Sequence, residues 1–190
     1  MISNELSQSI YNDLVKGKTI NKHSYVIKTN ELEKNPLYNE IFSNFDDYRQ
    51  LYLRINYDLV HKNSSFFFIR ELNGADANEA TIKIQALLII IGRIVTEKGY
   101  LFDVLTDYRA GVGLADLAVA TSEERYSDIL HTCKLCLSRE IEDEINNHLI
   151  NRGIMFKNSR GHYVLSDAGR AFFADLSLMP LLPSLLKTIN

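Results

Sequence analysis

The chain has 190 residues, of which 46% are hydrophobic and 24% charged, an average balance for a globular protein that excludes global disorder. Lys plus Arg is 21 against Asp plus Glu 24, a net charge of −3, so a generally basic nucleic-acid binder is disfavoured, although a local basic patch is not. Two cysteines permit no disulfide framework and fit a reducing cytosol, and no apolar run reaches the ~18 residues of a spanning helix. The N-terminal sequence also lacks the basic and apolar regions of a signal peptide.

In chain order, Leu6, Ile10, Leu14 and Val15 recur at helical spacing, and Gly17 ends that helix. Residues 18–30 are short and polar apart from Val26 and Ile27. A helical stretch is expected at Glu31–Glu33. Pro36 interrupts it by pushing Asn35 out of the α region, and helix resumes from Leu37 to Tyr52. Tyr57–His61 and Phe66–Arg70 read as strands joined by the turn 62–65, a β-hairpin. The small, polar stretch 72–80 is the best linker.

The second half opens with a helix over Thr81–Gly99 whose apolar residues nearly encircle it, the pattern of a buried or interfacial helix. Ala110–Gly113 reads as a loop, and a mixed region leads into Tyr126–Leu137. Ser138 is the expected N-cap of a helix over Arg139–Arg152 with a core stripe of Ile141, Ile145, Leu149 and Ile150, and Gly153 is its stop. Ile154–Lys157 and His162–Leu165 form a second hairpin around the turn 158–161. Ser166 caps a last helix, and a tail with Leu178, Leu181, Leu182, Leu185 and Leu186 follows, broken by Pro180 and Pro183.

Helices followed by a two-stranded hairpin thus occur twice. The expected architecture is α+β and mostly helical: two tandem winged-helix domains over 1–72 and 80–176, with a C-terminal tail at 177–190.

This layout is similar to the MukE/MksE family, the small, kite-type subunits of bacterial SMC condensin complexes. Leu14, Gly17 and Ile20 resemble the family's helix exit. Phe45, Tyr48, Leu51 and Tyr52 resemble its aromatic helix before the wing. Tyr57, Leu59, Val60 and the run Phe66–Arg70 resemble the wing itself, where aromatics end on an arginine. Ile145–Ile154 resembles the second helix-to-wing junction. The long acidic tail of MukE proper is replaced by a short Leu/Pro tail, which is closer to the short MksE type. The resemblance implies a homodimer of tandem winged-helix subunits that binds a kleisin. Through the kleisin it would associate with an SMC ATPase that entraps DNA, in the cytoplasm at the nucleoid. Its role would lie in chromosome organisation or plasmid defence.

No catalytic motif competes with this reading. Glu140, Glu142, Asp143 and Glu144 are crowded on one helix and so point in several directions rather than converging. There is no phosphate-binding glycine loop, zinc-protease motif or nucleophile elbow, so no enzyme and no cofactor are expected. His131, Cys133 and Cys136 lack the second ligand pair of a structural zinc, and two apolar cysteines packed on a helix are the better reading. A winged-helix transcriptional regulator is the competing class, but Ser138–Arg152 carries Arg139 and Arg152 against four acidic residues, and phosphates repel such a helix. The second wing is different: Lys157, Arg160 and His162, with Arg170 nearby, are candidates for weak, non-specific DNA contact. Phe66, Phe67 and Phe68 put aromatics on both faces of one strand, which therefore needs cover on both sides. Together with Leu181, Leu182 and Leu185 of the tail, they form the candidate partner interface.

Overall fold

The computed structural model describes residues 3–74 and 79–177, so Leu181, Leu182 and Leu185 lie outside the described residues, as do positions 75–78 of the linker. The fold is α+β. In the first half, α1 (Asn4–Val15) is capped by Ser3 and leads into β1 (Ile20–Asn21). A separate hairpin follows, β2 (His23–Val26) with β3 (Glu31–Lys34). Then come α2 (Pro36–Ser43), α3 (Phe45–Leu53), β4 (Tyr57–Lys62) and β5 (Phe66–Glu71). The sheet order is β1-β5-β4, with Ile20 opposite Phe67 and His61 also opposite Phe67.

Two features of this half differ from the sequence reading. Glu31–Glu33 is strand, not helix. The proline at 36 holds Asn35 extended at ψ 119, which leaves too short a run for an α-helix, and those residues pair with His23–Val26 instead. Asn30 makes the connecting turn at φ +56, a conformation asparagine tolerates. The strand β1 is also absent from the sequence reading, because two residues carry no readable alternation. Asn35 caps α2 through its side chain, which accepts from the Leu37 amide at 3.0 Å.

The second half is built on α4 (Glu79–Glu97), buried almost all round from Ala86 to Val95. The short helices α5 (Asp103–Thr106), α6 (Leu114–Leu117) and α7 (Val119–Ser122) and then α8 (Glu124–Thr132) follow, the last three packing against it. α9 (Ile141–Ile145) continues as a π-helical turn over Asn146–Ile150. β6 (Met155–Lys157) and β7 (Tyr163–Leu165) pair antiparallel, and α10 (Asp167–Ser177) closes the described chain. Val112 bridges to Tyr163, so an early extended residue sits beside the last strand here too, as Ile20 sits beside Phe67.

The Ser138 cap does not form. The chain turns at Lys134 and Cys136, both at positive φ, to bury Leu135, and α9 starts only after Glu140. For the same reason α8 stops at Thr132, and Cys136 lies off any helix. The Ser166 cap does form: its Oγ accepts from the Gly169 amide at 3.1 Å.

The described residues form two hydrophobic cores. One gathers Ile10, Leu14, Tyr48, Tyr52 and Phe67, and the other gathers the α4 face with Tyr126, Ile145 and Tyr163. A polar seam joins the halves. Asn21, 9% exposed, donates from Nδ2 to the Gly153 carbonyl at 2.8 Å, and its Oδ1 accepts from the Ala168 amide at 2.8 Å. Beside it the Thr19 amide donates to the Arg152 carbonyl at 2.9 Å. Gly153 must be small here: at φ +71, an added Cβ would meet the Thr19 carbonyl oxygen at 2.9 Å.

Replacing Asn21 with leucine leaves the Ala168 amide buried without a partner and removes one of the donors to the Gly153 carbonyl, which keeps the Thr19 and Ser166 hydroxyls. Stability is expected to fall by about 1–3 kcal/mol, read as a lower urea midpoint at unchanged slope. An unchanged midpoint would show that the seam contributes little.

Candidate partner and nucleic-acid surfaces

Of the three phenylalanines of β5, Phe66 and Phe67 are covered from within the chain and Phe68 is half-buried. Phe67 is fully buried in the first core, 4.9 Å from the Tyr38 ring and 4.3 Å from the His61 ring. Phe66, also fully buried, points the other way into the second core. It lies 5.8 Å from Phe68 and 5.9 Å from Phe172 of α10. The second half thus covers the outer face of the first hairpin. Burying each ring is worth roughly 1.5–3 kcal/mol. Lys62 pairs with Asp175 at the same contact.

The four basic candidates sit together around the second hairpin, each held by the chain. Lys157 Nζ pairs with Glu142 at 2.9 Å and lies 4.9 Å from the Tyr163 ring centroid, and the Glu142 carboxylate raises its pKa. Arg160 donates to the Ala110 carbonyl at 3.0 Å, and His162 Nδ1 lies 3.1 Å from the same oxygen. Arg170 donates to the Thr106 carbonyl at 2.6 Å. Arg160 and Arg170 are exposed, while Lys157 and His162 are half-buried.

The β2–β3 hairpin reaches across the seam to this second hairpin. The Tyr25 ring stacks on Phe156 at 5.1 Å, and its hydroxyl accepts from the Ser159 amide at 2.9 Å. Ser159 Oγ donates to Asn30 Oδ1 at 2.8 Å. Sequence reasoning missed this contact, because the hairpin itself lay in the segment read as helix and polar loop.

The acidic helix diverges as expected. Glu142 turns to Lys157, while Asp143 and Glu140 face solvent. Glu144 is 5% exposed, accepts from the Cys136 amide at 3.2 Å and lies 3.3 Å from His148 Nε2. Burial pushes the Cys133 thiol up and the Cys136 thiol to about 11, with Glu144 adding to the latter, so both stay protonated at neutral pH. Among the described residues no cluster of His, Cys, Asp and Glu has metal-binding geometry, and no helix is long and apolar enough to cross a membrane.

Exposed apolar side chains mark two further places. On the first half, Leu51 and Ile55 near the end of α3 are about half exposed, as is Leu72, whose amide bonds to the neighbouring Asn56 carbonyl. On the second, Tyr100, Leu101 and Phe102 form a consecutive exposed run, with Phe102 stacked 4.7 Å from Phe173.

The family model for condensin complex protein MksE matches residues 5–177, from α1 to the end of α10 across both cores. The chain belongs to the MksE family. A search of curated proteins finds no match to the sequence. The MksE match takes in the seam and both hairpins, and so makes the chain a condensin-complex protein.

Two histidines make the fold sensitive to acid. Burial lowers the pKa of His61, as does Lys22, and a Tyr38 hydroxyl lies 2.9 Å from its Nε2. Burial also lowers His148, with Lys83, Arg152 and Arg139 adding to the effect and Glu144 opposing it. The unfolded chain therefore takes up these protons first, near the ordinary value of about 6.5. Stability is complete above that pH and falls as pH drops through it toward the folded values. The melting temperature should be flat from about pH 7 to 8 and decline between about 6.5 and 5. His148→Gln should flatten that decline, and a melting temperature that rises on acidification would contradict the assignment.

Proposed function

We propose that this chain is a non-enzymatic accessory subunit of a bacterial SMC complex that binds the kleisin and thereby regulates SMC action in chromosome organisation or plasmid defence. Membership of the condensin-complex MksE family over residues 5–177 carries the reading. The subunit is a homodimer in the cytoplasm, and it meets the SMC ATPase through the kleisin. Each half is a winged-helix domain, residues 1–72 and 80–176. The order helix, short strand, helices and hairpin supports this, as do the β1-β5-β4 arrangement and the Val112–Tyr163 bridge.

The subunit works by presenting fixed apolar surface rather than by chemistry. Phe66 and Phe67 are spent inside the chain. The candidate surface for the kleisin and the dimer mate therefore comprises the edge of Phe68 and the exposed Leu51, Ile55 and Leu72, with Leu181, Leu182 and Leu185, which lie outside the described residues, proposed beside them on their sequence alone. Burial of such groups is the usual energetic centre of a protein interface.

The tagged full chain, purified from its host and analysed by light scattering and mass spectrometry, should bring down a kleisin and an SMC ATPase around a dimer of itself. Leu51→Asp with Ile55→Asp should reduce that recovery at least tenfold without lowering the melting temperature. A homodimer alone, retaining one specific operator sequence, would overturn the proposal.

A further inference from the structure

Several cations among the described residues are neutralised by carboxylates. Arg49 and Arg70 share Asp58, Arg125 meets Glu97 and Glu123, and Lys157 meets Glu142. Three arginines at one place differ. Arg160 and Arg170 each donate to a neutral carbonyl, of Ala110 and of Thr106, while the Arg109 guanidinium lies 5.3 Å from the Tyr108 ring. None of the three has a carboxylate within 4.0 Å among the described residues. All three are exposed. A guanidinium carries five N–H donors, so one bond to a carbonyl leaves both the charge and most of the donors unspent.

The residues that hold these arginines converge on one short turn. Thr106 and Ala110 bracket it, and the Ala110 amide closes it on the Asp107 carbonyl at 3.0 Å. Asn158, 4% exposed, ties the second hairpin to it by donating to both the Tyr108 and Ala110 carbonyls at 3.1 Å. Tyr25 and Asn30 hold the adjacent Ser159, so the turn carrying Arg160 is fixed from both sides. Such preorganisation lowers the ordering cost of binding.

We propose that the turn 106–110 and the second hairpin form a face for the sugar–phosphate backbone of duplex DNA, with Arg109, Arg160 and Arg170 as its phosphate contacts. The inference deepens the reading above and rests on it for its setting, an SMC complex acting on DNA. Asp107 on the same turn and Asp103 at the start of α5 leave only a modest positive surplus, so binding is weak and salt-sensitive. Neighbouring α9 presents Glu140 and Asp143 to solvent, which keeps it out of a groove, so binding is blind to sequence. Lys157, neutralised by Glu142, is not a principal contact.

The test is fluorescence anisotropy of the full chain with a labelled random-sequence duplex of about 40 base pairs, across about 50–200 mM salt. R109Q/R160Q/R170Q should bind at least tenfold more weakly at low salt, with a log–log salt slope shallower by about two to three, near 0.9 for each phosphate no longer neutralised. The corresponding triple lysine variant should keep most of the affinity, and Arg125→Gln should change nothing. Arg109 makes no side-chain hydrogen bond among the described residues, so Arg109→Gln alone leaves the fold intact and should cost about one unit of slope. Wild-type slope and affinity in these variants would overturn the face, as would no binding by the parent chain at the lowest salt. Recovery of kleisin and SMC ATPase by the triple variant separates the two ideas: its persistence with DNA binding abolished supports the face, and failure of the parent chain to recover them counts against the complex instead.

Discussion

A single buried amide sets the relation between the two halves. Asn21 sits on a two-residue strand, donates to Gly153 at the end of the π-helical turn and accepts from Ala168 at the start of α10. Its side chain therefore bonds to the second half while its backbone belongs to the first sheet. Buried polar groups must be paired, so this geometry leaves little freedom to slide or rotate. The neighbouring small residues follow from it. Gly153 allows Thr19 to approach, and Gly169 lets α10 start against the Ile154 carbonyl, where an added Cβ would stand at 2.1 Å. Phe66 and Phe67 of β5 then fall on opposite sides of one strand, each into a different core.

Much of the fold was legible in the sequence because its signals were local. Helical periodicity located α1 and α4, turn residues located the β4–β5 and β6–β7 hairpins, and Ser166 announced α10. The seam was not legible: β1 is two residues long, and β2–β3 is short, largely polar and at most half-buried, so neither carries a periodic apolar pattern. Where Glu31–Glu33 goes depends on pairing with His23–Val26 and on the proline after Asn35, and the pairing outweighed weak helical propensity. Ser138 has the chemistry of a cap, but burial of Leu135 takes the chain past it.

The candidate sites divide in the same way. Basic residues of the second hairpin were visible in the sequence, but their partners were not, since Glu142, Ala110 and Thr106 lie 15 to 64 positions away in the chain. Those partners decide which charges are spent and which remain. Arg109 had no signal of its own, as it becomes interesting only when folding brings Arg160 and Arg170 to the same turn. For the paired aromatics of β5, the sequence demanded cover on both faces, and only the fold shows that α10 and the second core supply it for Phe66. Two halves joined by buried hydrogen bonds and by Phe66 in the second core suit a subunit that works by contact.

The central claim is that the seam makes the two halves one cooperative body. Native-state hydrogen exchange reads this directly through the amides of Ile10 and Leu14 in the first core and Leu87 and Ile145 in the second. The account predicts the same opening free energy for both sets, equal to that of global unfolding. A first core that opens measurably more easily than the second, with its own denaturant dependence, would contradict it.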